Sequence, residues 1–339
     1  MKASSTEGKQ NDIQSGPEDQ IKSSDTERAV RLSIVSTLYQ SEKTTREFIL
    51  RCLNASKDLG IERPEIVLVN DGSTDQSLNI AIATLKDLEQ VKGKVVDLSR
   101  NFGHHKALMT GIRHAEGEVI FLIDSDLEES PELLIQLYQE RRRSGCDVAY
   151  GVQRIRRGSA KEKVTGSLYY WLFRTLSGLS FPESVLTARI MTRRYAEALL
   201  MHQEYEPYLI GLWAITGFEQ HPVFTTKSTR NQSRYTLKKK IRLAVNSIAS
   251  FTDRPLKATL YAGLLSFATF IVCTCFQVGA YIITGSVPEG WTSIFLSIWG
   301  FGSCIIAMLS VNAIYLSKIY IETKKRPYVI ERAIVTTNG

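Results

Sequence analysis

Val119-Ile-Phe-Leu-Ile-Asp124-Ser125-Asp126 is a run of five apolar residues that passes directly into two acids one residue apart. A continuous β-branched and aromatic run of this length reads as a strand buried on both faces, as in parallel sheets. The acids mark where it leaves the core. Alternation along an extended strand predicts that Asp124 and Asp126 share one side, and paired hard oxygen donors suit Mg²⁺ or Mn²⁺ bridging a diphosphate. Taken alone, the tripeptide is better explained as an ordinary strand-to-helix turn, where Asp is frequent. The surrounding pattern has to decide.

Upstream, Leu32–Ser36, Ile66–Asn70 and Val95–Leu98 repeat the short β-branched run of Val119–Ile123. Between them Glu42–Leu59, Asp75–Leu88 and His104–Ala115 read as helices, and Pro131–Arg143 follows, opened by a capping Ser130 and a proline at its first position. Strands alternating with helices predict a parallel, helix-covered sheet. In such sheets ligands sit beyond the carboxyl ends of the strands, here Thr37–Glu42, Asn70–Asp75, Ser99–Lys106 and Asp124–Glu129. The second of these, Asn70-Asp71-Gly72-Ser73-Thr74-Asp75, joins an acid, a glycine turn and helix-capping groups. Its carboxylate can accept hydrogen bonds from a base or ribose, while the following helix start favours negative charge.

Among 339 residues, 42 Lys and Arg stand against 35 Asp and Glu, a formal charge of +7. That excess is localised: residues 226–257 carry +8 and 318–332 carry +3, so the remainder is net negative. Both clusters abut apolar runs, which points to anionic lipid headgroups and away from nucleic acid. Cys52, Cys146, Cys273, Cys275 and Cys304 have no metal-finger spacing. No Walker loop or Gly-x-Gly-x-x-Gly occurs, so ATPase and dinucleotide readings lack support.

Ala258–Thr284 and Trp291–Ser317 are each 27 residues without Asp, Glu, Lys or Arg; about 20 apolar residues suffice for a helix to cross a bilayer. Lys238, Lys239, Lys240, Arg242, Arg254 and Lys257 precede the first and Lys318, Lys324, Lys325 and Arg326 follow the second, while the connector has neither Lys nor Arg. The positive-inside bias then places both termini in the cytoplasm. Tyr281 and Trp291 fall near the outer ends. Met1–Arg28, polar and net −2, reads as a disordered lead without signal-peptide character. Apolar positions in Leu237–Phe251 recur on one helical stripe opposite Lys238, Lys239 and Arg242, as in an interfacial helix, and the aromatic Leu168–Leu176 is a second lipid-facing segment or a core helix. The expected layout is a lead (1–29), a catalytic domain (30–225), a basic juxtamembrane segment (226–257), a two-span hairpin (258–317) and a cytoplasmic tail (318–339).

Ser33-Ile-Val-Ser-Thr-Leu-Tyr39, Asn70-Asp-Gly-Ser-Thr-Asp75, Ser99-Arg-Asn-Phe-Gly103 and Asp124-Ser-Asp126 occur in the order found in family 2 glycosyltransferases. With the hairpin, the chain resembles the polyprenyl-phosphate members of that family, relatives of dolichol-phosphate mannose synthase and the bactoprenol glucosyltransferases. The resemblance implies a GT-A (Rossmann-like), mostly parallel sheet with helices on both faces, interfacial helices and a transmembrane hairpin. It implies inverting transfer from a nucleotide sugar, of UDP type, to a polyprenyl phosphate at the cytoplasmic face of the cell membrane, for cell-surface glycan synthesis or modification, and it allows a homo-oligomer. Carried over by position, Thr37, Tyr39, Glu42, Asp71, Ser73, His104 and Asp124 line the nucleotide sugar, and Asp126 with Asp124 holds Mg²⁺ or Mn²⁺. Asp124, Asp126 and Arg189 are the catalytic set.

The chain departs from the family pattern at three places. Thr37 and Gln40 replace the usual Pro-x-Tyr-Asn end of the first strand, His104 and His105 follow Phe102-Gly103 where Lys-Glu is usual, and Thr187 stands where a common Asp-Phe-Arg segment has its acid, with Arg189 retained. A phosphate monoester with a second pKa of ~6 is already largely ionised at neutral pH, so a missing base is no bar to transfer. Cationic positioning of the acceptor is needed instead, and Arg189, Lys227, Arg230 and Arg234 are the candidates. A haloacid-dehalogenase-type phosphatase is disfavoured by Glu128 two residues after Asp126, and a processive synthase by the lack of Gln-x-x-Arg-Trp. A non-catalytic nucleotide-binding anchor is the alternative outside enzymes.

Overall fold

The computed structural model describes residues 31–153, 175, 184–225, 249, 251–284 and 290–337. Lys227, Arg230, Arg234, nearly all of Leu168–Leu176 and most of Leu237–Phe251 lie outside them. The first four strands are β1 (Leu32–Leu38), β2 (Glu65–Asn70), β3 (Lys92–Leu98) and β4 (Val119–Leu122), separated by α1 (Thr45–Lys57), α2 (Ser77–Lys86) and α3 (His104–His114). Then follow α4 (Leu133–Ser144), β5 (Val148–Gln153), β6 (Val185–Thr192), α5 (Arg193–Leu200), α6 (Leu209–Ile215), β7 (Gln220–Thr225), α7 (Arg254–Thr284), α8 (Trp291–Thr323) and β8 (Glu331–Thr337).

All eight strands form one mixed sheet in the order β7-β5-β6-β4-β1-β2-β3-β8. Strands β4, β1, β2 and β3 are mutually parallel, as the alternating pattern predicts. β1, β2 and β4, apolar in their central residues, are buried along their whole length, as a parallel strand covered on both faces is. The chain steps from β1 outward to β2 and β3 and then crosses back to β4 on the other side of β1. That reversal opens a crevice at the carboxyl ends of β1 and β4. Helix α3 roofs one face, packing Leu108, Met109 and Ile112 into a core with Val35, Val67, Ile120 and Leu122.

Beyond β4 the sheet changes sense. β6 runs antiparallel to β4, with Leu122 opposite Arg189, and carries Thr187 to the mouth of the crevice. At the other edge β8 pairs antiparallel with β3. The stretch read from the sequence as a cytoplasmic tail, 318–339, contains a sheet strand, fixed further by Glu331 on His114 and Arg332 on Asp97. Seven residues of ordinary polarity carry little strand signal until β3 supplies an open edge.

Helices α7 and α8, of 31 and 33 residues, stand apart from this core. Their outward side chains include Phe276 (77% exposed), Ile283 (84%) and Trp299 (66%). Two helices with such surfaces are long and apolar enough to cross a membrane.

Candidate active site

Four side chains form a chain across the crevice. Thr37 Oγ1, at the end of β1, lies 3.1 Å from His104 Nδ1; His104 Nε2 lies 3.2 Å from Asp124 Oδ1; and Thr187 Oγ1 donates to Asp124 Oδ2 at 2.9 Å. Asp124 is thus flanked from α3 and β6 at once. His104 opens α3 with its side chain 44% exposed. Partial burial disfavours its charged form, but the Asp124 contact and the nearby carboxylates of Asp71 and Asp126 prevail and hold its pKa above the ordinary value.

The acidic turn departs from the expected geometry. β4 ends at Leu122, Asp124 lies just beyond it and Ser125 and Asp126 form a turn, so strand alternation does not set the directions of the two acids. Asp126 is exposed and its Oδ1 accepts the Glu128 N–H at 2.9 Å. Buried Leu127 has φ 60°, a left-handed conformation costing a non-glycine residue roughly 1–2 kcal/mol. That bend turns Glu129 inward, where it accepts the N–H groups of Thr187 (3.1 Å) and Ala188 (2.7 Å). Ser125 Oγ donates to the Thr37 carbonyl at 2.7 Å. The turn is therefore stitched to β1 and to β6. Glu129 and Ser125 are the site-building residues that sequence reasoning missed, because an acid or hydroxyl shortly before a helix looks like a cap.

Asp71 is 2% exposed. Its Oδ1 accepts the Phe102 N–H at 2.7 Å and its Oδ2 the Gly103 N–H at 3.1 Å. Burial raises its pKa, opposed by those two bonds and by His104 and Arg100. Gly72 follows with φ 66°, and a Cβ there would strike the backbone of Arg100 and Asn101, so only glycine lets the two loops approach this closely. Its two bonds make Asp71 a clamp on the loop that begins α3. Ser73 and Glu42 face one another's loops: Ser73 Oγ donates to the Leu38 carbonyl and Glu42 Oε2 accepts the Gln76 N–H, both at 3.3 Å. Tyr39 is 54% exposed at the rim.

Arg189 is enclosed by the protein. It is 1% exposed, with its guanidinium 3.1 Å from the centroid of the Trp213 ring and 5.8 Å from that of Tyr150. Burial pulls its pKa down to about 10, which leaves it cationic at neutral pH. Among the described residues Nε and Nη1 have no hydrogen-bond partner. An arginine enclosed between aromatic rings does not reach an acceptor at the crevice mouth in this arrangement. Its place on β6 two residues from Thr187 follows the strand register, but its burial depends on α6, which supplies Trp213.

Glycosyl transferase family 2 matches residues 33–201, the segment from β1 to the end of α5. A Mycobacterium tuberculosis protein named among glycosyltransferases is 39% identical over 305 residues, 90% of this chain and 88% of its own. The prophage bactoprenol glucosyl transferase homolog of Escherichia coli is 30% identical over 319 residues, 89% of this chain and 99% of its own. Among solved structures, the glucosyl-3-phosphoglycerate synthase of Mycobacterium tuberculosis aligns with a TM-score of 0.46 at 19% identity, over 66% of this chain and 80% of that one. With the motif order, the crevice and relatives matching along nine-tenths of its length, the chain belongs to glycosyl transferase family 2.

Proposed function

We propose that this glycosyltransferase moves a sugar from a nucleoside diphosphate donor, of UDP type, to a polyprenyl phosphate at the cytoplasmic face of the membrane. The observation that carries the reading is the connectivity of the sheet. The polar crevice lies between β1, β4 and β6, and the chain leaves that domain for two apolar helices and comes back as β8 on β3. Both ends of the hairpin therefore lie on the side of the active site, in keeping with the basic flanks of the two helices. The bactoprenol relative spans the same hairpin-bearing length.

No group of three or more His, Cys, Asp and Glu gathers among the described residues. Two carboxylates with open positions still fit a divalent cation that takes its other ligands from diphosphate and water, the usual preference of Mg²⁺. Asp126 and Asp124 would hold it, and it would neutralise charge on the departing nucleoside diphosphate. The acceptor phosphate arrives ionised, so the protein has to orient and screen it more than deprotonate it. That work passes from buried Arg189 to Lys227, Arg230 and Arg234.

Incubating full-length protein in vesicles with separate nucleotide sugars and polyprenyl phosphate tests the reading. A lipid-linked sugar formed only with the lipid phosphate present supports it; release of inorganic phosphate, or nucleotide binding without transfer, replaces it with a phosphatase or an anchor. A cysteine replacing Ser286 should react with an impermeant thiol reagent from outside, and one replacing Ser228 should not. The reverse labelling would invert the membrane face.

A further inference from the structure

Three segments far apart in sequence meet beside α3. The loop 202–208, between α5 and α6, is held by the last turns of α8: Lys318 Nζ donates to Glu206 Oε2 at 2.6 Å and the Tyr205 N–H to Glu322 Oε1 at 2.8 Å. The same loop grips the first turn of α3. His105 Nδ1 is 3.0 Å from the Pro207 carbonyl oxygen, and Lys106 Nζ is 3.5 Å from the centroid of the Tyr205 ring. Tyr328, on the stretch from α8 to β8, brings a second ring 5.2 Å from that ammonium.

Lys106 is 7% exposed, and among the described residues no carboxylate comes within ion-pair distance of it. A buried ammonium held by aromatic faces retains a favourable interaction only while those rings stay in place. Both rings belong to segments tethered to α8. Beneath the loop a cavity of about 210 Å³ borders Glu206, Tyr208, Phe251 and Lys318, leaving room for the loop to shift without displacing packed core. Helix α3 carries any such shift to its own N-terminal residue, His104, which contacts Asp124.

We propose that loop 202–208 is a joint through which the seating of the apolar hairpin sets the first turn of α3, with Lys106 as the positioning residue for His104 and Asp124. The inference rests on the reading of the chain as a transferase acting on a membrane lipid. A displacement of ~1 Å at a reacting centre costs on the order of a hundredfold in rate, so a loosened joint registers in turnover. Donor binding draws on the β1 and β2 loops as well as on His104 and Asp124, so it weakens less than turnover does.

The test uses full-length protein in phosphatidylethanolamine and phosphatidylglycerol vesicles, with UDP as the binding probe. In Lys318→Ala, amide hydrogen exchange in the first turn of α3 is expected to quicken by about fivefold, the upper range for loss of one partly exposed ion pair. The kcat for transfer to polyprenyl phosphate falls by a similar factor, with UDP affinity within about twofold of wild type. Exchanging the charges, Glu206→Lys with Lys318→Glu, restores both. Lys106→Met gives a larger change, about tenfold, and Lys106→Arg, which keeps a cation over the rings, gives less. Exchange at α3 and kcat in Lys318→Ala equal to wild type would overturn the joint while leaving the transferase reading in place. Faster exchange at α3 in a protein that transfers no sugar would keep the joint and remove the transferase reading.

Discussion

Two acids at the ends of the parallel strands on either side of β1, Asp71 after β2 and Asp124 after β4, look alike in sequence and have different surroundings. Both oxygens of Asp71 are occupied by main-chain N–H groups of the loop opening α3, and the residue is almost inaccessible. Asp124 is held by the side chains of His104 and Thr187, remains partly open, and has Asp126 exposed two residues on. A carboxylate satisfied by backbone donors fixes architecture, because those donors cannot move without the fold. One held by side chains can exchange partners when a diphosphate and a cation arrive. The two motif acids therefore differ in what holds them, a distinction that motif identity does not carry.

The largest effect expected from that contrast is on the exposed acid. Asp126→Asn should lower transfer by roughly a thousandfold or more, as loss of a metal–diphosphate contact does, with little change in Tm, and a chelator should do the same to wild type. Turnover near wild type in the folded variant would sink the assignment. Next comes the clamp: Asp71→Asn can accept only one of the two N–H bonds and leaves a buried donor unmet, costing about 1–3 kcal/mol. Chemical denaturation should register that loss, so the two acids should separate, one failing in rate and the other in stability.

A smaller effect is expected at Thr187. Thr187→Asp, which restores the acid common in the family, sets a second carboxylate against Asp124 and replaces a donor with repulsion. Transfer should slow by about tenfold; a marked gain would show that a base was missing after all. The smallest is a pH effect. The folded-state pKa of His104 is raised, so the stability it adds is full below its unfolded value and is lost as pH rises through the folded one. In chelator-treated protein, the margin of wild type over His104→Gln should shrink on going from mildly acidic to alkaline pH. Thermal melts across that range read it directly, and a margin that grows would show the histidine neutral against Asp124.

Sequence by itself determined the parallel block. The runs ending at Leu38, Asn70, Leu98 and Leu122 each hold a short β-branched or leucine-rich apolar stretch, as strands covered on both faces favour, and the helices between them follow from spacing and capping. The two long uncharged segments were equally legible, since a helix that meets hydrocarbon cannot carry charge cheaply. What each polar residue does was not legible in the same way. That Asp71 clamps a loop, that Asp124 pairs with Thr187 and His104, that Arg189 lies against Trp213 and that residues 331–337 complete the sheet all depend on partners 20 to 244 positions away. Hydrophobic burial is a property of one residue and its near neighbours, so a periodic pattern records it. A hydrogen bond, an ion pair or an edge-strand pairing is a property of two distant groups, and only the folded chain brings them together.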